Sequence, residues 1–192
     1  MIRWLALLLL LVACEYRPTW HLNQAIYIST AWNLPQPEAF VSGVEEVIIA
    51  LGGTPQKGNG PHTSFAPPGA QIIHIWDNSP GSGKCDVTGN ILGFADDLGI
   101  HVCHNPAVLS MLVNTPAASF RGAKITAMHE TLHLGGLSWH WSCDLLGGQH
   151  RIMADARACE LLDRPTEEDL IYACTGGLFV GGRCSKIGRA HV

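Results

Sequence analysis

The stretch HETLHLGGLSWH, residues 129–140, governs the reading of this 192-residue chain. Histidines four apart on a helix point the same way, so His129 and His133 can hold one ion between their imidazoles. Glu130 sits one residue round from His129, close enough to reach a water on that ion without displacing it. Gly135 and Gly136 then close the helix, because glycine readily takes the left-handed backbone that ends helices. Zinc with three protein ligands keeps a fourth position for water. His140 is the first candidate for the third ligand, His150 the second and Asp144 a weaker one.

Outward from that stretch the chain alternates between the two hydrophobic periods. GAKITAMHETLHLGG has apolar Ile125, Met128, Leu132 and Leu134 and predicts a helix over about residues 123–134. Upstream, AIYIST (Ala25–Thr30) is β-branched and alternating, a first strand. PEAFVSGVEEVIIAL, residues 37–51, places Phe40, Val44, Val47, Ile48 and Leu51 at helical spacing behind a proline and a glutamate suited to a helix start. Residues 52–70 are glycine- and proline-rich and read as an irregular loop. QIIHIWD, residues 71–77, predicts a buried strand, and the run 90–103 splits at Asp96-Asp97 into the strands NILGFA and GIHVC. Downstream, residues to about 164 are loop-rich, and PTEEDLIYAC forms a last helix that Thr166 can cap. Helices and strands in this order predict an α+β fold, without internal repeats.

Length allows one domain with a sizeable core. The formal charge is -4 and no Lys/Arg block exists, so nucleic acid is not an expected partner. MIRWLALLLLLVAC reads as an export signal: Arg3 gives the positive start, and the apolar run is too short to span a bilayer. Its end, Leu11-Val12-Ala13-Cys14, resembles the bacterial lipobox, which makes Cys14 the lipidation site and new N-terminus. The expected organisation is a signal at 1–13, a tether at 14–20 and one domain over 21–192, anchored to the membrane by lipid alone, on the periplasmic face or cell surface, as a monomer. Six cysteines remain after Cys14, an even number for an oxidising compartment, and nearest-neighbour pairing gives 85–103, 143–159 and 174–184. The tail 186–192 reads unlike a domain end; IGRAHV matches one frame of a common sequencing adapter and is expected to be foreign to the natural chain.

In H-E-x-x-H-x-x-G-x-x-H, the metzincin pattern, the glycine turns the chain so that a histidine just past the helix swings back to the metal. Residues 129–140 resemble it, with Trp139 at the matching position and His140 directly after. One extra residue moves a side chain by about 3.5 Å, which a turn can absorb. Met153, in RIMADA, stands where metzincins carry the methionine of their Met-turn, and RPTEEDLIYAC resembles the C-terminal helix of the matrixin-like members, with Asp169 and Tyr172 at comparable places. The resemblance extends over about residues 21–178 through the order of elements. It implies a twisted mixed sheet with a backing helix, an active-site helix and a loop-rich C-terminal subdomain ending in a helix. It also implies one catalytic Zn2+ on His129, His133 and His140, with Met153 beneath it; a thermolysin-like protein would need Glu160 instead.

The expected chemistry is peptide hydrolysis. Zinc on three imidazoles lowers the pKa of water to about 7, and Glu130 takes its proton and delivers it to the leaving amine. A protein or peptide substrate would lie extended along the edge strand 90–95, against Gly93, Phe94 and Ala95. The competing class is a non-catalytic, zinc-stabilised surface lipoprotein or binding module, against which Glu130 counts, because a structural site needs no base. His101, His104, Asp96 and Asp97 could make a cation site, but read as ordinary strand and loop residues.

Overall fold

The structure, a computed structural model, describes residues 18–31, 34, 37–57, 66–78, 85, 93–97, 99–103, 116–140, 152–153 and 164–190, with backbone alone at 116–119 and 188–190. Its centre is a twisted five-stranded mixed sheet in the order β3-β2-β4-β6-β5, formed by β2 (Ala25–Thr30), β3 (Thr54–Lys57), β4 (Gln71–Asn78), β5 (Gly93–Asp96) and β6 (Gly99–Cys103). β2 pairs in parallel with β3 and β4, and β4 with β6; β5 alone runs antiparallel, against β6. Alternation explains which face is inside: Ile26 and Ile28 of β2, Ile73 and Ile75 of β4 and Ile100 of β6 are buried, while Trp76 is 39% exposed.

Parallel strands need a crossover, and α1 (Pro37–Ala50) supplies the one between β2 and β3. Its buried stripe of Phe40, Val44, Val47 and Ile48 follows the helical period. α1 packs on α2 (Pro116–His133), and Gly43 is where they meet, since a Cβ there would lie 2.3 Å from Lys124 O and 2.8 Å from Ala127 Cβ. A Lys124 Nζ–Glu46 Oε2 pair at 2.5 Å ties the same two helices at their rim. Met128 and Leu132 of α2 complete the core, each fully buried side chain contributing about 1.5–3 kcal/mol.

α2 begins at Pro116, seven residues before the predicted start. Gly122 looked like a boundary but lies inside the helix, where tertiary packing overrides its low propensity. The predicted irregular loop 52–70 contains β3, whose sequence TPQK has no apolar alternation; it is held by backbone pairing to β2 and tolerates Pro55 because it lies at the sheet edge. Of the predicted strand 90–95, residues 93–95 lie in β5, which runs on to Asp96, and 90–92 lie outside the described residues. α3 (Glu167–Thr175) starts as predicted, with Thr166 as N-cap in a reciprocal capping box with Asp169.

Three short elements outside the central sheet were not anticipated. β1 (Trp20–His21) pairs in parallel with β7 (Phe179–Val180), and α4 spans Cys184–Ala190. Strands of two residues are too short to carry a period. Gln71 reinforces this closure, its amide bonding both the N–H and the carbonyl of His21. Disulfides Cys85–Cys103 and Cys174–Cys184, with Cα separations of 5.4 and 5.0 Å, match the nearest-neighbour pairing; Cys143 and Cys159 lie outside the described residues. Two disulfides mark an oxidising, exported environment. Among the described residues no helix is long and apolar enough to cross a membrane.

Candidate metal centre

The last turn of α2 and the segment that follows it bring three imidazoles together. His129 and His133 share a helix face, and their Nε2 atoms are 3.2 Å apart. After His133 the chain tightens, with Gly135 N–H bonded to Leu132 O and Gly136 N–H to His133 O. Gly136 sits at φ +103°, a left-handed conformation that favours glycine, and redirects the chain back over the helix end. His140 thereby returns, its Nε2 lying 2.9 Å from His129 Nε2 and 3.1 Å from His133 Nε2.

Backbone carbonyls orient two of these rings. His129 Nδ1 lies 2.8 Å from Ile152 O, and His133 Nδ1 lies 2.8 Å from Leu137 O. A carbonyl only accepts, so each Nδ1 carries the hydrogen and each Nε2 presents a lone pair. Burial pushes the His133 imidazole down to about 4, the Leu137 bond opposing and neighbouring His140 adding to the shift, so the ring is neutral at physiological pH. Lone pairs facing one another at about 3 Å repel unless something positive lies between them. A divalent ion about 2 Å from each nitrogen fits a triangle of these edges, and the donor set suits a first-row metal. The three histidines therefore form a site able to hold a metal ion.

Glu130, on the same helical turn, is 5% exposed, and its Oε2 has no hydrogen-bond partner among the described residues. Burial pushes its carboxyl up to about 8. Glu130 lines a cleft of about 640 Å³ together with His133, His140 and the edge strand residues Gly93, Phe94 and Ala95. A Cβ at position 93 would come within 3.1 Å of Glu130 Cγ and 2.8 Å of His101 O, so only glycine leaves that carboxyl its room.

Behind the histidines lies a buried polar scaffold. Asp169 is wholly buried; its Oδ1 accepts from Met153 N–H at 3.1 Å, and its Oδ2 from Ile152 N–H at 3.3 Å and from Thr166 N–H and Oγ1 at 2.9 and 2.7 Å. It thus fastens the segment whose Ile152 carbonyl orients His129 to the start of α3. Met153 is fully buried one residue from that carbonyl. Tyr172, also buried, donates to Trp139 O at 2.8 Å, with its oxygen 3.2 Å from His133 Nδ1.

Of the other sequence-level candidates, Cys14, Asp144, His150, Glu160 and His104 lie outside the described residues. His101 is occupied within the sheet, its Nδ1 2.8 Å from Asn78 Nδ2, its Nε2 2.9 Å from Asp96 Oδ2 and its ring stacked on Phe94; Asp97 is exposed. Sequence reasoning missed the carbonyls of Ile152 and Leu137, since a main-chain group leaves no mark in a motif. No family model matches the chain, and no curated protein matches it.

Proposed function

We propose that this protein is a zinc-dependent endopeptidase of the metzincin type. The observation that carries the reading is the convergence of three imidazole Nε2 atoms at 2.9–3.2 Å on a cleft that also holds the buried carboxyl of Glu130. His129, His133 and His140 would hold the ion. Zinc bound there supplies Lewis acidity, polarising a peptide carbonyl and making a proton easier to remove from water. Glu130 takes the proton from the attacking water and passes it to the departing amine. Among the described residues β5 is an edge strand of the sheet, bonded to β6, and Gly93, Phe94 and Ala95 border the cleft, along which an extended peptide is proposed to lie.

Glu130→Gln tests the assignment. The variant is expected to retain one zinc per chain and to lose cleavage of a casein-type substrate; retained cleavage would end the peptidase reading. A wild-type protein that binds zinc and cleaves nothing would favour the alternative, a zinc-stabilised surface lipoprotein that acts as a binding module.

The proposed location is the periplasmic face of a membrane or the cell surface, reached by export and held by lipid on Cys14. The disulfides support export, and the anchor is proposed from the lipobox-like end of the leader alone. Cys14→Ser should move the protein from the membrane fraction to the soluble fraction; unchanged membrane association would rule out anchoring at this residue.

A further inference from the structure

His140 stands four residues after Gly136, and the intervening segment Leu137-Ser138-Trp139 must fold so that its ring returns to the other two histidines. Spacing alone does not enforce that return. Tyr172, arriving from α3, touches the segment at its last residue. Its O–H donates to Trp139 O at 2.8 Å, immediately before His140. Its ring meets the Trp139 indole edge to face, with centroids 4.8 Å apart. The phenol's single hydrogen is committed to a carbonyl that can only accept, so the phenol oxygen faces His133 Nδ1, 3.2 Å away, as an acceptor. One hydroxyl therefore touches the ring of the second histidine and the backbone that carries the third. Because α3 packs directly on the end of α2, where a Cβ at Gly135 would lie 2.2 Å from Ala173 O, this hydroxyl is a fixed point relative to that end.

We infer that Tyr172 is the positioning residue that seats His140, and with it the third metal ligand, by holding the Trp139 carbonyl and indole. The inference rests on the metal-centre reading above and deepens it: without the phenol, His129 and His133 keep their helical spacing, while the third ligand loses its anchor.

The test is a metal titration of the full chain with zinc under chelator competition, paired with the visible spectrum of the cobalt(II)-loaded protein. Tyr172→Phe keeps the ring and removes only the hydroxyl. It is expected to weaken zinc binding about tenfold or more and to change the cobalt absorption toward a site with fewer nitrogens. A merely structural role would lower the melting temperature of the metal-free protein and leave the zinc affinity and cobalt spectrum of the folded fraction unchanged. In a His140→Ala background, Tyr172→Phe should add a smaller loss than in the wild type, and an equal loss would overturn the assignment. Trp139 is 43% exposed and outside the core, so Trp139→Ala is a second variant, which removes the indole that Tyr172 packs on; it should weaken zinc binding several-fold. Zinc affinity within twofold of wild type in Tyr172→Phe, or in Trp139→Ala if the first variant does not fold, sinks the role of Tyr172 while the metal centre stands. Failure of the wild-type chain itself to bind zinc or cobalt removes the metal centre, and the inference with it.

Discussion

At the scale of single residues, the difference between a ligand, a base and a supporting group lies in what each side chain faces. His129 and His133 turn one nitrogen to a backbone carbonyl and the other to the neighbouring imidazoles, which leaves them able to donate to a cation. Glu130, one position on from His129, is buried without a partner on Oε2 among the described residues and takes no part in that triangle. Glutamine fits the same volume and cannot accept the proton, so Glu130→Gln should lower turnover by about 10²–10⁴-fold or more while zinc content, measured by atomic absorption, stays at the wild-type level. His129, Glu130 and His133 were legible as a group because their relation is local to one turn of helix. The burial of Asp169 was not legible: it sits in an acidic helix start, Glu167-Glu168-Asp169, and only the structure separates the one carboxylate that is enclosed.

At the scale of elements, α2 is the part on which the site depends, since it carries two histidines and Glu130 and is held from two sides. On one side α1 lies against it at Gly43, where backbone and side chain come closer than any Cβ allows. Gly43→Ala should therefore push α2 outward and destabilise the fold by about 1–3 kcal/mol, read as a lower urea midpoint with unchanged slope; an unchanged midpoint would mean that the helices do not meet there. On the other side α3 carries Tyr172 to the segment beyond α2 and Asp169 to the Ile152–Met153 segment. Hydrophobic period identified β2, α1 and β4 closely because each buries one face. It failed at β3, which buries little, and at the start of α2, where a glycine suggested a boundary that packing removes.

At the scale of the whole molecule, the centre joins segments far apart in the chain: the α2 turn, the Ile152–Met153 segment and α3. A cation held among them stabilises the folded state alone, by about 4 kcal/mol when free metal exceeds its dissociation constant a thousandfold. Removal with a chelator should lower the melting temperature of the wild type, and the His140→Ala chain should lose less on the same treatment. Equal melting curves with and without chelator would show that nothing stabilising is bound. Residues 20–21 and 179–180 close on each other through β1 and β7, Arg183 N–H is bonded to Leu51 O, and the Cys174–Cys184 bridge fastens α4 to α3.

What the sequence by itself determined is whatever depends on neighbours within a few positions: the helical pair of histidines with its glutamate, the turning glycine, the alternating strands and the capped helix α3. The two described bridges, between cysteines 18 and 10 positions apart, follow the pairing of neighbouring cysteines along the chain. Tertiary structure alone decided that His140 reaches the other two imidazoles, that the carbonyls of Ile152 and Leu137 set their tautomers, and that Tyr172 and Asp169 hold the surrounding backbone. Those relations are distances between groups brought together by folding, many of them main-chain atoms identical in every residue, and a pattern of side chains along the chain does not encode them.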